Sequence, residues 1–307
     1  DAFYQSLEVR YREALGQPVS IPTEGYHGKY LSEIGTELAE AKGTSLLSSD
    51  NLCSLPELAD WGLTRMLKEI RDDLGRIGVE FDVWFSERSL YNGDVYGHVM
   101  KELRSRGYLT DREGATWFAS RNLGEDKDNV LIRRTGAPTY FASDAAYHYD
   151  KFLIRGFEHV VNIWGADHQG HISRLKAILM ALDVDPNRLT VLVSQMVMLR
   201  RQGEVVRVSK RTGEIITLRD LVDEVGPDAC RYFFLARSPE AQMEFDMDLA
   251  LRQSQENPVY YIQYAHARAA SILRTALEQG LSSDSAVIQL LASDEEMALV
   301  KKMLELP

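Results

Sequence analysis

Cysteine is almost missing from this sequence. Cys53 and Cys230 are the only two in 307 residues, far apart, and neither has a second Cys or a His at metal-binding spacing. That spacing excludes a disulfide framework and a structural zinc site and leaves both thiols as core residues. Long apolar runs are missing too. No stretch approaches the roughly 18 apolar residues of a membrane span, and no charged-then-apolar leader opens the chain. No membrane association is expected, and a cytoplasmic location follows. Positive charge is also short: 35 Lys and Arg face 46 Asp and Glu, a formal net charge of −11. Such a balance disfavours non-specific nucleic-acid binding, although a local basic face can still work on an acidic protein. Arg133-Arg134, Arg200-Arg201 and Lys210-Arg211 are the candidate spots, and adjacent basic pairs are more often solvated surface.

What is present is the composition of an ordinary globular protein, 45% hydrophobic and 26% charged, in a length that suits two domains or one elaborated domain. Phe3, Leu7, Tyr11 and Leu15 recur every four residues, predicting an amphipathic helix ended by Gly16. A loop around Pro18 and Pro22 precedes a helix over 28–42. Leu63, Met66, Leu67, Ile70 and Leu74 keep helical spacing up to Gly75 and Gly78. A strand is then predicted over Phe81–Phe85, a helix over Val95–Arg106, and short strands over Ala115–Phe118 and Val130–Arg133. The Gly- and charge-rich stretch 111–128 makes this region read as an inserted lobe.

From residue 140 the pattern changes. Strand-like Tyr140-Phe141 leads into a helix over Asp144–Phe152, strand Val160–Trp164 into a helix over Gly170–Leu182, and strand Val191–Leu199 towards a polar loop. This alternation predicts a parallel, doubly wound α/β sheet, whose ligands sit beyond the carboxyl ends of the strands. Gly226-Pro227 separates helices over Leu218–Val225 and Asp228–Ala236, and the chain reads as helical after Asn257-Pro258. Tyr260, Tyr261 and Tyr264 suit a packed helix face better than a base-stacking platform, which would need interleaved basic residues.

Three polar clusters carry chemistry. Val208-Ser209-Lys210-Arg211-Thr212-Gly213 offers an ammonium group to phosphates, or is simply a solvated hairpin tip. Asp167, His168 and His171 follow strand Val160–Trp164. A metal site there is disfavoured, because a three-residue His separation lacks a further ligand; carboxylate and imidazole suit ribose hydroxyls or an ammonium group better. Tyr140 and Asp144 lie four residues apart. Either Asp144 or Ser143 caps a helix, or carboxylate and phenol together receive a planar guanidinium.

In this order the sites resemble bacterial-type arginyl-tRNA synthetases, members of the class I aminoacyl-tRNA synthetases. The likeness runs through GYHGKY (25–30), FDVWFS (81–86), GEDKD (124–128), TYFASD (139–144), GADHQGH (165–171), VSKRTG (208–213) and NPVYYIQYAHAR (257–268). The resemblance implies ATP-dependent activation of arginine to arginyl-adenylate, transfer to the 3′ end of tRNA(Arg), and magnesium accompanying ATP. It implies that Tyr140, Asp144 and His168 hold arginine, that Asp167 and His171 serve ATP, and that Ser209 and Lys210 act on its phosphates. It also implies the second half of a Rossmann-like sheet, with a partial catalytic domain over 1–256, a lobe over about 80–135, and the start of an anticodon-binding bundle over 257–307. A monomer is expected.

The loop departs from the class pattern KMSKS. Arg207 and Val208 stand for its leading Lys-Met and Arg211 for its final Ser, so Lys210 is the one lysine kept. By the resemblance, the class's His-x-Gly-His phosphate motif belongs before Asp1, not within these residues. The isolated chain is therefore expected not to charge tRNA. A non-catalytic RNA-binding or interaction fragment that keeps the fold is the competing expectation.

Overall fold

The computed structural model describes residues 2–20, 25–47, 53–206, 216–281 and 288–305. The chain divides into two compact units, Asp1–Met247 and Asp248–Pro307. The first opens with three helices, α1 (Ala2–Ala14), α2 (Lys29–Lys42) and α3 (Leu55–Arg76). Leu7 and Tyr11 of α1 are fully buried against Leu31, Ile34 and Leu38 of α2 and Leu58 of α3, and Phe3 and Leu15 pack at the margin. The four-residue spacing of the sequence thus becomes one buried stripe. Tyr11 turns its hydroxyl to the Gly43 carbonyl at 2.5 Å, so its polar tip stays satisfied. Cys53 packs against this core half-buried, and Cys230 is buried elsewhere; both are free thiols.

No strand forms over Phe81–Phe85. Phe81 and Val83 are exposed, the backbone bends at Asp82, and no strand among the described residues pairs with it, so β-propensity alone does not make a ladder. Two helices follow, α4 (Arg88–Asn92) and α5 (Val95–Ser105). Then comes an antiparallel sheet of β1 (Leu109–Arg112), β2 (Ala115–Phe118) and β3 (Asn129–Ile132) in that order. The first of these three went unpredicted because its LTDR sequence has no apolar alternation.

Tyr140-Phe141 is not a strand but the first turn of α6 (Tyr140–Tyr149). Thr139 decides this: its Oγ1 accepts from the Ala142 amide at 3.4 Å and donates to the Val130 carbonyl at 3.0 Å, so the helix starts where it is tied to β3. A π-helical turn over Asp150–Ile154 continues it. Next come β4 (Val160–Gly165), a 3₁₀ turn over Ala166–His171, α7 (Ile172–Ala181) and β5 (Leu189–Ser194). The helix predicted from Gly170 therefore begins only at Ile172.

β4 and β5 pair in parallel from Val160–Leu189 to Gly165–Ser194. The single strand expected over Val191–Leu199 is two. It breaks at Gln195, whose amide goes to the Pro239 carbonyl at 2.8 Å. Beyond the break, β6 (Val197–Arg201) pairs antiparallel with β7 (Glu204–Val205) and parallel with β8 (Met243–Asp246), a strand unpredicted from sequence. Parallel pairing therefore holds between β4 and β5, where the α/β alternation called for it, and again between β6 and the unpredicted β8. Helices α8 (Leu218–Val225) and α9 (Pro227–Leu235) flank Gly226, whose φ of 82° suits glycine at the break. A further core cluster of this unit runs through α5, the β1–β3 sheet, α6, α7, β4 and β5.

The second unit contains most of α10 (Met247–Leu251), then α11 (Pro258–Glu278), a 3₁₀ turn over Ile288–Leu290 and α12 (Asp294–Met303). Buried Asn257 caps α11 by accepting from the Val259 amide at 3.0 Å, and it donates to the carbonyls of Ala250 and Arg252 at 2.9 Å each. Tyr260, Tyr261 and Tyr264 are 37%, 54% and 51% exposed, so they are not the packed face that their spacing suggested.

Candidate functional site

Because Thr139 caps α6, the alternative role for Ser143 and Asp144 falls away. Buried Ser143 shares a 2.6 Å hydrogen bond with the Tyr91 hydroxyl. Asp144 lies inside the helix, half-buried, and among the described residues its carboxylate has no hydrogen-bond or ion-pair partner. Burial pushes its carboxyl above the ordinary value of 3.8, and Glu87 pushes the same way, while Arg174, Lys151 and His168 pull it back. A half-buried acid without a partner, facing a cavity, is a group that lacks its counter-ion.

The cavity measures about 190 Å³ and is lined by Phe85, Glu87, Tyr140, Ser143, Asp144 and Tyr147. Tyr140 and Asp144, one helical turn apart on α6, thus share it, and Tyr140 is 81% exposed, with its phenol available. Phe85 and Tyr147 stack at 4.5 Å and 20°, an apolar wall in a cavity that also holds the carboxylates of Asp144 and Glu87. A flat cation with methylenes behind it meets both: carboxylates for the charge, aromatic faces for the rest. A larger cavity of about 520 Å³ lies on α2 and α3 around Trp61, but its Asp60 pairs with Arg88, its Arg65 with Glu37 and Glu69, and its Lys68 with Asp72.

Asp167, His168 and His171 sit in the 3₁₀ turn at the carboxyl end of β4, where ligands of parallel sheets are expected. Asp167 and His168 are exposed, 3.5 Å apart, and the rings of His168 and His171 meet edge to face at 5.4 Å. Burial, then Arg174 and His168, lower the pKa of His171, so its imidazole stays neutral. His168 lies within electrostatic reach of Asp144 but is not among the cavity's lining residues. His168-Gln169-Gly170-His171 itself spells His-x-Gly-His, which corrects the expectation that the pattern belongs only before Asp1. Ser209 and Lys210 lie outside the described residues. Of the other basic pairs, Arg134 meets Glu113, Arg200 meets Glu244 and Arg201 meets Glu224, the solvated-surface role.

Sequence reasoning missed Arg174, Glu87 and Lys151. Arg174 of α7 links the two clusters, acting on both Asp144 and His171, with its guanidinium 5.0 Å over Phe141 and its Nε buried without an acceptor. The three-residue step from His171 to Arg174 is the signal that was available. Glu87 had none, because it reaches the cavity from a segment distant in sequence.

Residues 55–235 match the family described as tRNA synthetases class I (R), catalytic domain, and residues 262–307 match the DALR anticodon binding domain. An arginine–tRNA ligase of Dehalococcoides mccartyi (strain CBDB1) is 52% identical over 307 residues, covering 100% of this chain and 55% of that protein. One from Caldanaerobacter subterraneus subsp. tengcongensis is 46% identical over 311 residues, with 100% and 55% covered. The chain thus spans about half the length of the curated relatives it matches. A solved structure described as an arginyl-tRNA synthetase of Campylobacter jejuni superposes with a TM-score of 0.80 at 37% identity, over 91% of this chain and 60% of that one. The Thermus thermophilus arginyl-tRNA synthetase, 17% identical with a TM-score of 0.65, shares the fold over 98% of this chain and 60% of its own.

Proposed function

Since the chain belongs to the family of class I (R) tRNA synthetase catalytic domains, we propose that it is the arginine-binding part of an arginine–tRNA ligase. The reaction joins arginine to ATP as arginyl-adenylate with release of pyrophosphate, then passes the arginyl group to the 3′ end of tRNA(Arg). The observation that carries this reading is the partnerless Asp144 carboxylate in a small cavity with Tyr140, Glu87 and an aromatic wall. Asp144 pairs with the guanidinium, Tyr140 adds its phenol, and the amino acid's own ammonium and carboxylate lie towards His168. Asp167 and neutral His171 face the adenosine, where an uncharged imidazole hydrogen-bonds without opposing a cation.

Ser209 and Lys210 serve the phosphates, by resemblance to the class loop. Magnesium arrives with ATP as part of that substrate. The phosphate-binding His-x-Gly-His copy is the one the resemblance puts before Asp1, and His168 and His171 serve the amino acid and the adenosine instead. Residues 1–256 then form the catalytic part and 257–307 the beginning of the anticodon-binding part, in a monomeric cytoplasmic protein.

The test is pyrophosphate exchange by the full-length protein with tRNA(Arg) present. Arginine should support it. Citrulline, which has the same shape without the charge, should support it at least about 30-fold less well, since loss of a charge-assisted pair costs about 2–5 kcal/mol. Equal exchange with both would remove the guanidinium from the reading.

A further inference from the structure

Behind the cavity wall lies a chain of polar contacts that the arginine-binding reading does not use. β4 alternates, so Asn162 is buried while Val161 and Ile163 face outward. Lys151 Nζ donates to Asn162 Oδ1 at 3.1 Å, Asn162 Nδ2 lies 2.8 Å from His148 Nε2, and His148 Nδ1 lies 2.8 Å from the Asp144 carbonyl oxygen. The proton positions follow from one end. An ammonium has only protons to give, so the Asn162 oxygen faces Lys151 and its amide nitrogen faces His148. Nε2 must then accept, which leaves the imidazole proton on Nδ1, donated to Asp144 C=O. Only a neutral His148 fits. Its pKa agrees: burial first, then Lys151, lowers it to about 4.

The same lysine reaches the pocket wall. The π-helical turn after α6 carries Lys151, whose Nζ lies 4.1 Å over the Tyr147 ring, and Tyr147 stacks on Phe85. Such turns widen the backbone and recur at functional sites. Asn162 therefore joins one support of the aromatic wall, Lys151, to the support of the Asp144 turn, His148.

We propose that Asn162 is a positioning residue of the arginine pocket, which by bridging Lys151 and His148 holds the Tyr147–Phe85 wall and the Asp144 turn of α6 in place for an incoming guanidinium. The inference rests on the reading of this cavity as the arginine site. Asn162 touches no substrate and acts through its two partners.

Asn162→Asp in the full-length protein is nearly isosteric and keeps an acceptor for Lys151, but it removes the donor to His148, which must then carry a proton on Nε2. Nitrogen-15 NMR of the His148 ring should show the neutral Nδ1–H form in the wild type at pH 7 and an Nε2–H signal in the variant. In pyrophosphate exchange the KM for arginine should rise about tenfold, the size of one lost buried hydrogen bond, with the KM for ATP within about twofold. A wild-type Nε2–H signal overturns the proposal. So does an unchanged arginine KM once the ring has switched, or an equal rise for arginine and ATP.

Asp144→Asn, measured in parallel, separates the two ideas. If it leaves the arginine KM unchanged, the pocket reading fails; if it raises that KM and Asn162→Asp does not, only the positioning role fails. Should Asn162→Asp not fold, His148→Leu removes the acceptor for Asn162, and His148→Gln, whose amide oxygen accepts from Asn162, restores it. The arginine KM should then rise in the first and not in the second; parallel behaviour of the two overturns the proposal.

Discussion

At Asp144 the balance between burial and neighbouring cations can be read as a function of pH. Burial raises its pKa above 3.8 despite Arg174, Lys151 and His168. A raised carboxyl pKa makes the neutral form the better-tolerated one in the empty fold, so the stability it supports is complete below pH 3.8 and is lost as the pH climbs through the raised value. At pH 7 the ionised group is a cost to the empty protein. Replacing it by the neutral isostere in Asp144→Asn is therefore expected to leave the melting temperature unchanged or higher. Arginine affinity should fall about 30-fold or more, since a buried charged pair loses one partner. Calorimetric titration of arginine beside thermal melts of both proteins checks this. Binding to the wild type should also weaken as the pH drops through the raised pKa, because a protonated acid no longer attracts a guanidinium. A melting temperature that drops with affinity intact would make Asp144 a structural residue.

Elements meet where side chains allow their backbones to approach. Gly35 lies on the buried face of α2, and a Cβ added there would stand 2.7 Å from the Arg10 backbone carbon of α1. Alanine is the better helix former by about 1 kcal/mol. The clash is with backbone, which cannot rotate away, so overpacking of about 1–3 kcal/mol outweighs that gain. Gly35→Ala is expected to lower the urea midpoint, and a raised midpoint would mean that the two helices slide apart without cost. The elements legible in the sequence were those whose local chemistry and packing agree. The Phe3–Leu15 stripe and Gly226-Pro227 each state a helix face or boundary directly. Phe81–Phe85 and Tyr140-Phe141 misled because aromatic β-propensity is a preference that a missing neighbour strand, or a threonine cap tied to β3, overrides.

For the molecule as a whole, activity depends on what meets across the nucleotide. The 307 residues carry Lys210 but, on the reading above, only one side of the phosphate site. Loss of one preorganised donor costs about 10²–10³ in rate. The isolated chain is accordingly expected to arginylate tRNA(Arg) at least that much more slowly than the full-length protein. Charging assays with equal molar amounts of each decide it, and equal rates would place the whole phosphate site within these residues.

Family, α/β class and the clustering of Asp167, His168 and His171 after a strand were determined by the sequence alone, because residue types at fixed spacing need no partner to be recognised. The guanidinium reading of Tyr140 and Asp144 began there as one of two options. Only the tertiary structure removed the other, because Thr139 and not Asp144 or Ser143 caps α6. Capping by Thr139 is a contact with β3, and the cavity wall of Glu87, Phe85 and Tyr147 comes from segments more than fifty residues apart. Arg174 acts on two clusters at once, and Asn162 joins α6, its π-turn and β4. Burial and charge are sums over neighbours in space, and a chain read in one dimension does not contain its neighbours.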